Sequence, residues 1–240
     1  MKHATVVLLF GLAICQTASG DPGIARSGNF IVMADDGLLA DNVLSAAETL
    51  RYTLAKQWLG RELPEGEGRT SITVRIRPDR DDAVFWPKDH PDRHFHRMWV
   101  FAPIDRLTGT TFEHEMTHLV LELAYGDALP TWASEGAACR RDDEVRKEAR
   151  RQRLATCVRT GVYPAVETIL DADTFSAFDH TEYAVASSLT EYLLTRSDRK
   201  TFLAFAIAGK KDGWDRALAD HYQIRSTIEL QTLWQAWLSR

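Results

Sequence analysis

The stretch Thr110–Tyr125, TTFEHEMTHLVLELAY, predicts a helix with His114 and His118 four residues apart and Glu115 next to the first of them. Residues four apart lie on one face of a helix, one turn above each other. The two imidazoles can therefore offer nitrogen atoms to one metal ion, with the carboxylate projecting beside them. Because a metal ion acidifies water and a neighbouring carboxylate can take its proton, this pattern indicates metal-assisted hydrolysis.

The flanking residues also favour a helix at this place. Thr110 and Glu113 have the T-x-x-E spacing of a capping box, which would satisfy the first backbone N–H groups. The run Leu119–Leu123 supplies an apolar body, and Gly126 suits the end of the helix. The alternative is a surface helix with two solvated histidines, so the metal interpretation needs a third ligand.

A second stretch, LPTWASEG at Leu129–Gly136, predicts another helix close behind the first. Pro130 ends the loop before it, Thr131 is expected to cap it, and Glu135 falls in its first turns. Gly136 would let the two helices approach closely. We therefore predict Glu135 as the third ligand of a His₂Glu metal site. The alternative is that Glu135 only complements the helix dipole, as acidic residues in first turns often do.

The pattern H-E-x-T-H followed by P-x-W-x-S-E-G-x-A resembles the gluzincins, the zinc metallopeptidases of the thermolysin and aminopeptidase type. More narrowly, it resembles the short bacterial peptidase-MA-like proteins. The resemblance is specific over Glu113–Gly136. Sixteen residues separate His118 from Glu135, slightly fewer than in the aminopeptidase branch, and the G-x-M-E-N motif of that branch is absent from the sequence. The resemblance implies one Zn²⁺ per chain and peptide-bond hydrolysis.

The resemblance also implies a side chain that stabilises the developing oxyanion, because gluzincins use a Tyr or His from a later helix for this purpose. The segment Thr181–Thr195, TEYAVASSLTEYLLT, is amphipathic and resembles the region where related proteins place a tyrosine. We assign this role to Tyr183, with His180 as the second candidate; alternatively, Tyr183 is a half-buried core tyrosine. Glu122, one turn after His118, is a candidate hydrogen-bond partner for the ring of a ligating histidine.

The first half of the chain contains strand and helix patterns. Asn29–Ala34, Ser71–Arg77 and Arg97–Ala102 are predicted strands. A helical period runs through Asp41–Leu59 and ends at Gly60. These segments predict a small sheet with a helix on one face. The resemblance suggests that Arg97–Ala102 is an edge strand facing the substrate backbone, and the alternative is that it belongs to the core.

Together these patterns predict an α+β protein, and the resemblance implies that its fold is zincin-like. A small N-terminal mixed sheet with one long helix, residues 21–105, would precede a mainly helical half that carries the H-E-x-x-H helix, residues 106–240. The active-site cleft would lie between these two subdomains.

Residues 79–97 are rich in turn formers and histidines, and they predict a polar loop. His94 and His96 alternate, so they could share a strand face and form a second metal site. Histidines solvated in a loop are the preferred interpretation.

Residues 140–153 are dense in charge of both signs and predict a solvated surface helix. Asp142 with Arg146, and Asp143 with Lys147, have the four-residue spacing that allows ion pairs along a helix. Acidic interruptions and the lack of interleaved aromatic residues argue against a nucleic-acid-binding arm.

Residues 1–20 have the pattern of a secretory signal, with a basic start, an apolar core and small residues at the end. The apolar run is too short for a membrane span, so a secreted or periplasmic protein without stable membrane insertion is predicted. Cys15 faintly resembles the cysteine of a lipoprotein box, but Ile14 before it is too large, and lipid anchoring is not expected.

Two cysteines remain after the predicted processing, Cys139 and Cys157. In an oxidising compartment they could form a disulfide, or they could be two buried thiols. The sequence leaves both alternatives open. Neither cysteine is predicted to bind the metal ion.

The function predicted from these observations is that of an exported zinc metallopeptidase acting on a peptide or protein substrate. His114, His118 and Glu135 would bind Zn²⁺, and Glu115 would act as general base. The formal net charge of −5 argues against nucleic acid as the main partner. The alternatives are a zinc hydrolase acting on a non-protein amide, such as cell-wall peptide, and a non-catalytic binding module stabilised by zinc.

Overall fold

The sheet is built from short strands whose side chains alternate between a buried and an exposed face. The computed structural model describes residues 23–66, 69–87, 95–176 and 180–240, and within these ranges five strands form one mixed sheet. They are β1 (Gly23–Arg26), β2 (Phe30–Ala34), β3 (Thr70–Ile76), β4 (Asp82–Trp86) and β5 (His96–Ala102). The order across the sheet is β1-β2-β3-β5-β4, with antiparallel pairs at the two edges and parallel pairs between them.

Most of the remaining described residues are helical, which confirms the predicted α+β class. Helix α1 (Gly37–Leu59) connects β2 to β3. The later helices are α2 (Thr110–Tyr125), α3 (Thr131–Ala138), α4 (Glu144–Thr160), α5 (Val166–Leu170), α6 (Thr181–Arg196), α7 (Arg199–Asp212), α8 (Trp214–Tyr222) and α9 (Thr227–Leu238). Short 3-10 turns, Gly126–Ala128 and Cys139–Arg141, follow α2 and α3.

Helix α1 begins four residues earlier than predicted because Asp36 caps it. The Asp36 side chain accepts a hydrogen bond from the backbone N–H of Leu39 at 2.8 Å. Gly60 ends the helix in the left-handed conformation, with φ of 70°, which costs glycine little. The buried residues of α1, Leu54 and Trp58 among them, belong to the hydrophobic core.

The edge of the sheet lies at β4 and not at β5, so the edge role predicted for Arg97–Ala102 is wrong. β5 pairs with β3 on one side and β4 on the other, and it is therefore interior. β4 lies inside the segment 79–97 that was predicted to be a loop. None of its five side chains is buried, and the sequence DAVFW places four apolar residues in a row, so the alternation that marks a half-buried strand in sequence is missing.

His96 begins β5 and is buried, so the prediction of a solvated loop histidine is wrong for this residue. Its ring stacks on Phe85, with ring centroids 5.7 Å apart. His94, the other half of the conceivable second metal site, lies outside the described residues. The predicted secretory signal and Cys15 also lie outside them.

Helix α3 is held in an aromatic cluster at the centre of the helical half. Trp132 is fully buried, and its ring centroid lies 5.5 Å from that of Phe202, 6.0 Å from Phe205 and 6.1 Å from Trp214. This packing anchors a helix of only 8 residues, which is too short to be stable alone.

The predicted helix caps in this half are wrong in detail. Gly109 precedes α2 and no side-chain hydrogen bond caps its start, so Thr110 and Glu113 do not form a capping box. Pro130, and not Thr131, stands at the cap position of α3. The Thr131 hydroxyl instead donates to the backbone carbonyl of Asp173 at 2.6 Å. Gly126 ends α2 with φ of 50°, as predicted.

Gly136 permits a close helix approach, but its partner is α6 and not α2. A Cβ atom at this position would lie 2.0 Å from Thr190 Oγ1 and 2.8 Å from the carbonyl oxygen of Ala186. Only glycine fits this contact without movement of the backbone. The contact fixes α3, and the Glu135 side chain with it, against α6.

Among the helices of the described residues, none combines the length and the apolar character needed to cross a membrane. Cys139 and Cys157 are both buried, and they are free thiols that are not joined to each other.

Candidate metal centre

Two helices bring the three predicted ligands together. His114 and His118 project from one face of α2, and their Nε2 atoms lie 3.2 Å apart. From α3, Glu135 Oε2 lies 3.5 Å from Nε2 of His118 and 3.8 Å from Nε2 of His114. Each side chain is less than one fifth exposed. These three atoms are close enough together to hold one metal ion.

The other ring nitrogens of both histidines have partners, which are Asp142 and Ser134 rather than the predicted Glu122. His114 Nδ1 lies 2.9 Å from Asp142 Oδ1, and His118 Nδ1 lies 2.8 Å from Ser134 Oγ. An ionised carboxylate only accepts hydrogen bonds, so His114 Nδ1 must carry the proton. In the neutral ring Nε2 then has its lone pair directed at Glu135 and His118, as a metal ligand requires.

The Oε2 atom of Glu135 is buried, and among the described residues no donor meets it in hydrogen-bonding geometry. A carboxylate oxygen and two imidazole nitrogens therefore face one small space. Acceptor atoms this close repel each other unless a proton or a cation lies between them. The donor set fits a metal ion.

In the metal-free protein, the proton that relieves this repulsion lies on His118. Burial has the largest single effect and lowers the pKa of His118, but the acidic groups around the ring, Glu135 first and then Glu115 and Asp142, together outweigh it and raise the pKa to about 9. Burial raises the pKa of Glu135, but the neighbouring histidines together lower it by more. The carboxyl group therefore stays ionised to a lower pH than an ordinary glutamate. A metal ion would replace the His118 proton.

Asp142 is a part of the site that the sequence analysis missed. Its carboxylate is only 4% exposed, and Oδ2 lies 2.7 Å from Nη1 of Arg150. Burial raises the pKa of Asp142, but the hydrogen bonds and charges of His114 and Arg150 hold it below its ordinary value. The predicted surface pair of Asp142 with Arg146 is therefore wrong, because a buried carboxylate needs close donors and His114 and Arg150 supply them.

The second predicted pair, Asp143 with Lys147, is also wrong. Asp143 caps α4 by accepting from the backbone N–H of Arg146 at 2.8 Å, and it forms an ion pair with that residue. Lys147 pairs with Glu144. Helix α4 begins at Glu144, so Asp142 lies before it and is free to point inward.

His114, Cys139 and Asp142 form a second group whose atoms are close enough for a metal ion, but their chemistry opposes one. The Nδ1 proton of His114 and the Arg150 guanidinium already occupy the Asp142 carboxylate. Burial raises the pKa of the Cys139 thiol well above its ordinary value, which disfavours the thiolate that a metal needs. A cation would also lie beside the positive charge of Arg150. The Nε2 side of His114 is therefore the better metal site.

Glu115 lies beside the two histidines and is connected to the sheet. Burial raises the pKa of Glu115, while the charges of His118 and His114 and a backbone hydrogen bond from Phe85 lower it by less. A carboxylate with a raised pKa is a better proton acceptor near neutral pH. The edge strand β4 thus holds the candidate base in place.

A cleft of about 910 Å³ opens over these residues. Strand β4 forms one wall through Ala83, Val84 and Phe85, and α2 contributes Glu122 besides the site residues. The far end is lined by the segment after α5 and by the junction of α7 and α8. The site is therefore accessible along one side of α2.

Tyr183 lines this cleft, whereas His180 does not belong to its lining and is exposed. The Tyr183 ring packs against Phe175, with centroids 5.2 Å apart. Burial, followed by the charges of Glu135 and other nearby acidic groups, raises the pKa of Tyr183 to about 12. The hydroxyl group therefore keeps its proton at neutral pH and can donate a hydrogen bond into the cleft.

Compared with known proteins, the chain matches no protein-family model and no curated protein sequence.

Proposed function

We propose that this protein is a zinc-dependent metallopeptidase of the gluzincin type, with a zincin-like fold. The observation that carries the proposal is the position of three ligand atoms from His114, His118 and Glu135. Tetrahedral Zn²⁺ with bonds of about 2.0–2.2 Å separates its ligand atoms by about 3.3–3.6 Å. The distances between the three atoms here are 3.2, 3.5 and 3.8 Å.

The chemistry that Zn²⁺ supplies when bound is to acidify water and to polarise the carbonyl group of a substrate. Three protein ligands beside an open cleft leave a coordination position free, which is typical of catalytic zinc sites, whereas structural sites are closed by four protein ligands. This difference argues against a zinc-stabilised binding module. A structural site also has no need of a base such as Glu115.

Glu115 acts as general base in this proposal. It accepts a proton from the attacking water and later returns it to the leaving amine. The backbone N–H of Phe85 orients the carboxylate, and burial keeps its pKa above the ordinary value, so it can both take and give the proton. Tyr183 stabilises the developing oxyanion by donating its hydroxyl proton in a hydrogen bond.

The edge strand β4 supports a peptide as the substrate. Within the described residues β4 is the outermost strand on this side of the sheet, and Ala83, Val84 and Phe85 line the cleft next to Glu115. An extended peptide can add to such an edge by main-chain hydrogen bonds, which places its scissile bond near the base. A cell-wall peptide could bind in the same way, so substrate profiling has to separate the two. Export from the cytoplasm remains a prediction from residues 1–20.

The test is the variant Glu115→Gln, with Glu122→Gln as its control on the same helix and in the same cleft. We expect zinc content to be unchanged in both variants, measured by elemental analysis. On a library of quenched fluorescent peptides, including cell-wall peptides, kcat/KM should fall by about 10²–10⁴-fold in Glu115→Gln and by only about 3-fold or less in the control. Full activity of Glu115→Gln would refute the mechanism.

A further inference from the structure

Helix α4 docks against the site although its sequence is strongly polar. Of its 17 residues, Glu144–Thr160, only Cys157 is buried. Two arginines one turn apart, Arg146 and Arg150, instead reach inward toward the residues around α2. Charged hydrogen bonds, which are stronger than neutral ones, therefore attach the first half of the helix, while Leu154 and Cys157 pack in its later turns.

Arg146 binds groups that lie away from the candidate ligands. Its Nη1 donates to Thr111 Oγ1 at 2.8 Å, and its Nη2 donates to the backbone carbonyl of Asp81 at 2.7 Å. It also forms an ion pair with Asp143 at 3.1 Å. These contacts hold α4 at the start of α2, and none of them involves His114 or His118.

Arg150 binds the group that orients a ligand. Its side chain is 13% exposed, its Nη1 lies 2.7 Å from Asp142 Oδ2, and its Nη2 donates to the carbonyl of Cys139 at 3.1 Å. The two carboxylate oxygens of Asp142 thus serve different partners, with Oδ1 on His114 and Oδ2 on Arg150. The guanidinium fixes the plane of the carboxylate, and the carboxylate fixes the ring of His114.

We propose that Arg150 is a positioning residue of the metal centre, which sets the affinity for Zn²⁺ through Asp142 and His114. The inference depends on the proposed function, since it concerns the same site. Hydrogen-bond partners behind metal-ligating histidines typically change metal affinity by about 10–100-fold when removed. Arg150 stands one contact further from the metal than Asp142. It acts because the buried Asp142 carboxylate has Arg150 as a charged partner and His114 as its other hydrogen-bond partner.

The test compares three arginine variants of one helix in the full chain: Arg150→Gln, Arg146→Gln and Arg151→Gln. Arg151 is exposed, and its ion-pair partners among the described residues are Glu144 and Glu148 of α4. The dissociation constant for zinc is measured by competition with a chromophoric chelator at fixed pH. We expect about 10-fold weaker binding in Arg150→Gln and changes of less than about 3-fold in the other two.

A double-mutant cycle separates positioning from general support of the fold. If Arg150 acts through Asp142, then Arg150→Gln should have no further effect on zinc affinity in a chain that already carries Asp142→Asn. Arg150→Lys keeps a cation near Asp142, so it should restore most of the affinity. This variant also provides the measurement if Arg150→Gln does not fold.

Two outcomes overturn the inference. An equal loss of zinc affinity in Arg146→Gln and Arg150→Gln would show that α4 only supports the fold. Unchanged affinity in Arg150→Gln, with the wild type binding zinc, would show that Arg150 does not position the centre. Absence of zinc binding by the wild type would instead refute the proposed function, so the two failures are distinguishable.

Discussion

Helices α3 and α4 each help to hold a carboxylate against the histidines of α2, but through different contacts. α3 brings Glu135 by apolar packing, with Trp132 in the aromatic cluster and Gly136 against α6. α4 holds Asp142 through the charged side chain of Arg150. The candidate ligand Glu135 thus depends on close packing, which tolerates little change in side-chain volume. Asp142, the carboxylate behind His114, is instead held by an ion pair with Arg150 and by the hydrogen bond from His114.

The largest effect is expected from Gly136→Ala, because it disrupts the close packing of α3 against α6. A methyl group at this position meets Thr190 and the backbone carbonyl of Ala186, so α3 must move away from α6. We expect the free energy of unfolding to fall by about 3 kcal/mol, measured by urea denaturation, and zinc affinity to fall with it.

The control for this variant is Gly37→Ala at the start of α1. Gly37 has nothing within 4 Å of an added Cβ, so its substitution should leave stability within about 1 kcal/mol of the wild type. If both glycine variants were equally stable, the shape-dependent attachment of α3 would be wrong.

The next effect concerns Tyr183, which lies on α6, the helix that supports α3. Tyr183→Phe removes the hydroxyl donor but keeps the ring that packs on Phe175. Loss of one oxyanion donor costs about 10²-fold in kcat, and we expect KM to change little. The measurement is steady-state kinetics on the best peptide from the library.

His180→Asn serves as the comparison for Tyr183→Phe, because His180 is exposed and does not line the cleft. Its kcat should stay close to that of the wild type. A large loss in His180→Asn with none in Tyr183→Phe would reverse the assignment of the donor.

A smaller effect on stability is expected from pH in the metal-free protein, and it tests the interaction of Glu135 with His118. Despite burial, which acts in the opposite direction, the surrounding carboxylates, with Glu135 as the main one, raise the pKa of His118 to about 9, against an ordinary value of about 6.5. A group whose pKa is higher in the folded protein than in the unfolded one stabilises the fold fully at pH values below its unfolded-state pKa. This stabilisation is lost as the pH rises through the folded-state pKa.

We therefore expect the free energy of unfolding of the chelated protein to decrease between about pH 6.5 and about pH 9. Urea denaturation across this range, with a chelator present, is the measurement. Glu135→Gln should flatten the dependence, because it removes the charge that raises the pKa of His118. Stability that increased over this range in the chelated wild type would contradict the account.

The sequence predicted the parts of the site that follow from local spacing. His114, Glu115 and His118 follow from the period of one helix, and Glu135 from a second helix close along the chain. The α+β class followed from the strand patterns in the first half and the helical periods after them.

The supporting parts could not be predicted because they depend on contacts between distant segments. Asp142 sits in a charged run that has the pattern of a solvated helix, and only the fold turns it toward His114. The pattern did not predict strand β4 because four apolar residues follow one another in DAVFW, without the polar residues that would alternate with them. The capping box failed because Gly109 and tertiary packing determine where α2 starts.

The most direct test of the central claim is zinc content by elemental analysis of the purified protein, comparing wild type with Glu135→Ala. Glu113→Ala is the control, since Glu113 lies on α2 and pairs with Arg141 away from the ligands. We expect about one zinc per chain in wild type and control, and much less in Glu135→Ala. No zinc in the wild type after reconstitution at neutral pH would contradict it.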